Sequence, residues 1–548
     1  MMRSNTVWIV LLVIAPFGAA IADEPAHGPA GTVLHTTVDR LAAEPRDPEL
    51  LGGTTPDSDA RIAELQERLM EARQHPEAGP TFETLEVPAD RLVPHNRATD
   101  PVGGRDSSAP VTLFVNSTSS TPAPAFYRSE VAEPAVAASG DRVFYSANWF
   151  GSASDDGGQS FGFVNPSPGP YPAPSGESFC CDQSMAHDPG TNATFWLQQF
   201  IPNSFNPPTT DTGTQRINVD QNSDGSWDCA YDITTTLVGL QTNTWFDFPD
   251  LAVSSSYLYH TSNAFTFSSG WAGGFVGRYP LAELAACSSP LSIDAYTNYT
   301  GSFRLSRGAD DVMYFAAQPN NASLRIWSWP DGTGAPSWVQ QSVAPWSNAA
   351  RQCPGPDGRN WCGFHDGRLQ SGFVTGSTVG FMWTPSQGGG FPYPYLRIST
   401  FDAANGLAPL DDIDVWSPDV AYMYPSSSVN GAGELGGTVM WGGGDTHYPS
   451  CSAWMAESPT AGDLVPLDHV TSIAGTVGPS NNSSRSGDYT MSATYYPDDL
   501  QFAGACFAYL SLGSSTTTYV RFGRQVMPEI FADGFESGDT TGWGASNP

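Results

Sequence analysis

From about residue 110 onward the chain alternates short apolar runs with polar ones, and Gly, Asn, Asp, Ser or Pro bounds each run. That period of two predicts strands joined by turns. A loose phrase recurs: a Pro or acidic residue, an apolar–small pair, a short gap and an aromatic strand. It starts at Glu133 (EPAVAASGDRVFYSA), Cys181 and Phe248, and in weaker form at Phe303, Gly367, Ser417 and Ser486. These starts lie roughly 60 residues apart, which is what four strands and their turns consume in one propeller blade. The pattern therefore predicts an all-β chain, a β-propeller of seven blades over residues 109–526. Six blades is the alternative count, and a β-sandwich or a pair of them the alternative architecture. The strand at 111–115 is expected to close the ring by pairing with the last strands near 517–523.

The segment before this region has a different pattern. Arg3, the apolar run Val7 to Ala15 and the small–x–small stretch Ala20-Ile21-Ala22 read as a signal peptide over 1–22. Residues 23–108 form a Pro-, Ala- and acid-rich leader. Within it Ile62, Leu65, Leu69 and Met70 fall at helical spacing and predict one short helix near 57–73. Residues 527–548 are acidic and Gly-rich. They read as a flexible tail and resemble a C-terminal segment found on many exported bacterial proteins. No later stretch has the roughly 18 apolar residues a membrane span needs. The expectation is a secreted protein, extracellular or periplasmic, acting as a monomer.

Eight cysteines fit an oxidising compartment. Cys353 and Cys362 bracket a short Pro/Gly-rich loop and are expected to pair, and Cys451 is assigned to Cys506. Adjacent Cys180 and Cys181 either bond each other or pair separately with Cys229 and Cys287. No C-x-x-C pair suggests zinc or redox work.

Charge narrows the function. The chain has 56 acidic and 23 basic residues, every basic one an Arg, for a net charge of −33. Without a basic cluster it is not built to neutralise phosphates or anionic lipid. Its aromatic content of 12% with only 14% charged residues excludes a wholly disordered chain.

The stretch Ser154 to Phe161 (SDDGGQSF) has Ser154, Asp156, Gly158, Ser160 and Phe161 in the pattern S-x-D-x-G-x-[ST]-[WF]. This resembles the Asp-box of sialidase-like propellers, with weaker echoes at Thr384 to Phe391 and Asp331 to Trp338. The resemblance implies a structural hairpin on a blade's outer edge, away from the ligand face. Sialidases of this kind use three Arg to clamp a carboxylate, a Tyr nucleophile activated by Glu, and an Asp acid/base. Arg304, Arg368 and Arg485 lie near the starts of inner strands, where such a clamp would be built, and Tyr489 is the candidate nucleophile. Arg128 is a poor match, and no Glu is placed by motif to activate Tyr489. The competing reading of these Arg is pairing with the surplus carboxylates.

Two further sets stand out. Asp220, Asn222, Asp224 and Asp228, with Gly225, fit a loop of alternating oxygen ligands that suits Ca2+ between two strands; the other reading is a plain Asp-Gly hairpin. Asp182, Asp250, Asp419 and Asp488 sit at repeat starts, so a propeller would gather them around its channel mouth. There they could serve glycoside chemistry or cap their own turns. Asp182, Asp250, Asp488 and Tyr489 are thus the candidate catalytic residues, and Arg304, Arg368, Asp419 and Arg485 the candidate substrate-binding ones. His365 beside Asp366, and Asp445 near His447, form no complete triad. The reading that follows is a sialidase-like propeller of unassigned activity, either a glycoside hydrolase or polysaccharide lyase at the channel mouth, or a non-catalytic binder of extracellular glycan or protein.

Overall fold

The structure is a computed structural model and describes residues 27–28, 33–46 and 110–524, the last without 168, 204–212, 267–269, 299–300, 458–467 and 481–484. The signal peptide, the helix expected near 57–73 and the tail lie outside the described residues.

The described strands group into seven four-stranded antiparallel blades, of which the fourth and fifth are joined into one sheet by a parallel pairing of Ser306 and Arg307 with Gly372 and Phe373. Blade 1 runs from Ala135–Ser139 to Gly162–Val164, blade 2 from Glu177–Asp188 to Cys229–Thr234, and blade 3 from Thr244–Val253 to Leu291–Asn298. Blade 4 runs from Arg304–Arg307 to Ser337–Ser342, and blade 5 from Leu369–Thr375 to Ala408–Val415. Blade 6 opens on a split inner strand, Ala421–Met423 and Ser428–Val429, and ends at Asp468–Ile473. Blade 7 takes Met491–Thr494, Phe502–Ser511 and Ser514–Arg524 from the end of the chain and its outer strand, Val111–Thr118, from the start. The ring closes as the sequence pattern predicts. No helix among the described residues is long and apolar enough to cross a membrane.

Each blade buries both faces against its neighbours, so the core is a set of layers between blades rather than one centre. Phe144 meets Trp196 and Trp227 between blades 1 and 2, Phe246 and Phe275 meet Phe195 and Ile217 between 2 and 3, and Phe315 and Trp327 meet Tyr296 between 3 and 4. Tyr145 and Tyr519 belong to the layer that joins blade 7 to blade 1. Two pieces of the leader extend this ring. Val33–Val38 adds a strand to the outer edge of blade 3, and His27–Gly28 pairs with the outer edge of blade 4.

All eight cysteines pair. Cys353–Cys362 and Cys451–Cys506 form as expected, and the open question resolves to Cys180–Cys181 with Cys229–Cys287. Two bonds staple neighbouring blades, 2 to 3 and 6 to 7.

The turn Ser154 to Phe161 joins the last two strands of blade 1. Asp156 accepts N–H bonds from Gln159 and Ser160 at 2.8 and 2.9 Å, and the hydroxyls of Ser154 and Ser160 as well. A Cβ on Gly158 would collide with the Tyr519 ring, and Gly158 stands at φ 86°, so only Gly fits. Asp220 to Asp228 occupies the same place in blade 2, and Asp331 to Trp338 lies between the last two strands of blade 4. Thr384 to Phe391 is the exception. It joins the second and third strands of blade 5, on the other face, where Ser386 bonds Ser347.

Candidate functional site at the channel mouth

Each inner strand lines the axis, and most enter it through a kink. Left-handed backbone occurs at Glu133 (φ 44°), Gly367 (79°) and Gly487 (124°) just ahead of the inner strands of blades 1, 5 and 7, at Cys181 (66°) and Phe248 (56°) within those of blades 2 and 3, and at Tyr424 (51°) between the two pieces of that of blade 6. The ladders of blades 2, 3 and 5 shift register at this level, between Phe179 and Gln183, Asp247 and Asp250, and Leu369 and Ser371. Such bulges re-aim side chains that a regular strand would send into the sheet faces. Here they bring Asp182, Asp250, Arg368, Asp488 and Tyr489 toward a common mouth, on the face opposite the Ser154 to Phe161 turn.

Phe248 is the platform of this mouth. The Arg304 guanidinium lies 3.8 Å from its ring centroid, that of Arg368 4.7 Å, and the Tyr489 ring packs edge-on at 5.9 Å. Asp182 accepts the Phe248 N–H at 3.1 Å. Arg368 forms a forked pair with Asp366, whose shortest contact is 2.6 Å. Arg485 reaches both Glu133 and Asp488 at 3.3 Å and stacks on Phe364. Deeper in the channel Asp250 takes both arms of Arg307, at 2.9 and 2.5 Å, with Arg304 3.9 Å away. Below lie Ser184, Gln370, Ser371, Ser427 and Ser492 around a small void. The far end of the channel opens into a cavity of about 500 Å³ lined by the opposite ends of the inner strands.

Electrostatics follow from this crowding. Burial alone would raise Asp250, but Arg307 and Arg304 hold its carboxyl below the usual range. Asp366 is likewise held down against burial by Arg368. Burial, with Asp182 and Glu133 adding to it, pushes the Tyr489 hydroxyl well above its ordinary value, and that hydroxyl donates to the Gln183 carbonyl at 3.1 Å. His365 is buried under the Tyr424 ring and pushed down to about 3 by burial and Arg351.

Asp182, Asp250, Arg304, Arg368 and Tyr489 are therefore linked through Phe248 and Arg304, while Arg485 and Asp488 form a second pair whose carboxylate acts on Arg368 electrostatically. Asp419 is exposed ahead of blade 6, its N–H donating to Ser417 Oγ. The Asp220 set lies on the opposite face. Asp220 accepts N–H bonds from Asn222, Asp224 and Gly225, and Asp228 accepts one from Gln221. Burial pushes Asp220 up to about 6. Among the described residues no group of three or more His, Cys, Asp or Glu is arranged to hold a metal ion. Sequence reasoning missed Glu133, Phe248 and the buried Asp247, whose charge acts on Arg368. Glu133 and Phe248 open two of the repeated phrases, and the signal that marks them is an X-Pro step after a left-handed residue: Glu133-Pro134, Phe248-Pro249 and Tyr424-Pro425.

No protein-family model matches the chain, and no curated protein matches it. Among solved structures it is similar to the GH93 alpha-L-arabinofuranosidase of Fusarium graminearum in complex with arabinobiose, with 10% identity over 75% of this chain and 97% of that one and a TM-score of 0.36. It is similar to a Trypanosoma rangeli sialidase in complex with the inhibitor DANA, with 9% identity over 62% of this chain and 54% of that one and a TM-score of 0.33. A mutant of the Aleuria aurantia lectin AAL in complex with Fucalpha1-6GlcNAc shows 10% identity over 63% of this chain and 98% of that one, with a TM-score of 0.34.

Proposed function

We propose that this chain is an exported, carbohydrate-active propeller, a glycoside hydrolase whose chemistry lies at the channel mouth. The observation that carries this reading is the convergence of inner-strand residues from different blades on carboxylates and Arg at one mouth, Arg304 and Arg368 on the Phe248 ring and Arg485 between Glu133 and Asp488. Glycosidic bond cleavage needs a carboxyl pair, one member donating a proton and the other acting as base or nucleophile. Asp182 and Asp488 are the pair proposed here, with Asp250 anchored too firmly by Arg307 to exchange protons near neutrality. Tyr489 holds its proton and serves as a wall of the site rather than its nucleophile.

Charge counting supports a neutral glycan over an acidic one. Glu133, Asp182, Asp247, Asp250, Asp366 and Asp488 outnumber Arg304, Arg307, Arg368 and Arg485, and Arg368 and Arg485 are engaged by these acids. An anionic sugar would have to displace a paired carboxylate, which costs much of what its own pairing with Arg gains. The turn Ser154 to Phe161 fits an Asp-box that holds a hairpin and takes no part in this chemistry. The near-complete burial of Glu133, Asp182 and Tyr489 favours a second reading, a glycan-binding module without turnover.

A release assay on neutral and acidic polysaccharides separates these readings. Sugar release from a neutral substrate that Asp488→Asn abolishes supports the hydrolase. Saturable binding without release supports the binding module. Neither release nor binding overturns both. A chelator arm addresses the Asp220 loop: a calcium site there requires chelation to lower the melting temperature.

A further inference from the structure

We propose that the Cys180–Cys181 disulfide is a positioning element of the channel mouth, holding the backbone in the shape that aims Asp182 at blade 3. The two residues are neighbours in the chain and bonded to each other, so this bond cannot tie distant segments together as Cys229–Cys287 and Cys451–Cys506 do. Its effect is local. Cys181 stands at φ 66°, a left-handed conformation that an L side chain resists. The ladder to the next strand breaks at this point: Phe179 pairs with Phe200, and pairing resumes only at Gln183 with Gln198. Cys180, Cys181 and Asp182 thus stand opposite Gln199 alone, lifted out of the regular sheet.

Both cysteines are buried in the apolar layer that includes Trp149, Phe179 and Phe200. The packed ring fixes the lifted segment from behind while Asp182 projects from it. The Asp182 carboxylate then accepts the N–H of Phe248 across the blade boundary at 3.1 Å, and the Phe248 ring carries Arg304 and Arg368 on its face. One local bond in blade 2 therefore bears on the platform residue of blade 3 and on two of the mouth's Arg. In its effect on turnover this inference rests on the proposed function; in its effect on geometry it stands alone.

The test has two stages. Peptide mapping of the unreduced protein is expected to find Cys180 and Cys181 linked within one peptide, and a link from either to Cys229 or Cys287 overturns the proposal. Two double variants then separate the bond from the backbone shape. Cys180→Ala with Cys181→Ala removes the bond and leaves a side chain that resists left-handed backbone; Cys180→Ala with Cys181→Gly removes the bond and restores that freedom. Crystal structures are expected to show the Asp182–Phe248 hydrogen bond lost in the first and kept in the second. Sugar release or binding is expected to fall about tenfold or more in the first and to return to within about threefold of the parent in the second. A hydrogen bond kept in both variants, or lost in both, overturns the proposal. If the Ala pair does not fold, the Gly pair is read alone, and loss of the bond there overturns it. A parent protein that neither releases nor binds glycan sinks the functional reading, while the crystallographic comparison still decides this one.

Discussion

Asp250 is ionised in a place that by itself disfavours charge. It is buried, and the compensation comes from Arg307 in a two-armed pair with Arg304 close by. Removing the carboxylate leaves buried guanidinium groups without their counter-charge, so Asp250→Ala is expected to cost about 3–5 kcal/mol in urea unfolding; a cost under about 1 kcal/mol would show that the pair is screened by water. Glu177 is the opposite case. Burial, partly offset by the Thr214 hydroxyl and the Gly213 N–H, pushes its carboxyl up to about 7. Its folded pKa lies above its unfolded value, so the proton it holds stabilises the fold fully below about pH 4.5, and that contribution is gone once the pH passes 7. Glu177→Gln lacks this loss. Its unfolding free energy relative to the parent is expected to rise by up to about 3 kcal/mol between pH 4 and pH 8, and a flat difference across that range contradicts the assignment. The same scale shows what sequence could reveal. Asp182, Asp250, Arg368 and Asp488 stood out in the sequence because the repeated phrase sets them near its start. Asp419 misled because blade 6 enters its inner strand through Tyr424-Pro425-Ser426, so Ser426, which borders the Asp250 void, occupies the place Asp250 holds in blade 3. A left-handed φ has no spacing signature: the Pro that follows is the one mark Phe248 carries, and Asp247 carries none.

Among elements, the blade is the unit the sequence spells out. Alternating apolar positions, Gly- and Asp-rich turns and the repeated phrase each follow from local backbone needs, so they survive in one sequence without an alignment. Pairing between blades does not, because it depends on which faces meet. That is why Cys353–Cys362, closing a loop of sequence separation 9, was the easiest bond to assign, while Cys229–Cys287, at separation 58, stayed open. Cys451 sits in the third strand of blade 6 and Cys506 in the second strand of blade 7, at separation 55. A cross-link of that span restricts the unfolded chain by about 4 kcal/mol. Replacing both with Ala is expected to cost roughly that much in reversible unfolding, while the circular dichroism of the folded protein stays unchanged. A cost near zero would mean that the layer of Phe502, Val520, Ala453 and Met455 already fixes blade 6 on blade 7 in the unfolded ensemble.

For the whole molecule the decisive contact is the closure of the ring. Three strands of blade 7 come from residues 491–524, and the fourth comes from the other end of the described propeller: Val111 pairs with Arg524 and Thr118 with Thr518, and Ser119 continues the contact to Thr517. Every other blade is built from consecutive chain and can pair its own strands as it forms; blade 7 must wait for a partner nearly 400 residues away. The cost of closing such a loop is recovered only when both neighbouring layers, blade 6 against 7 and blade 7 against 1, pack together. The leader strands differ. Val33–Val38 and His27–Gly28 lie on the outer edges of blades 3 and 4 and close nothing. A chain beginning at residue 47 should therefore keep a cooperative transition, lose only a few degrees of melting temperature, and self-associate more readily through its uncovered strand edges. A chain beginning at residue 120 lacks the closing strand, leaves the edge of Ser514–Arg524 unpaired, and is expected to lose cooperative unfolding and the near-ultraviolet signal of its packed aromatics. Equal stability of the two truncated chains would mean that blade 7 holds with three strands, and that the closure read from the sequence is ornamental to the fold.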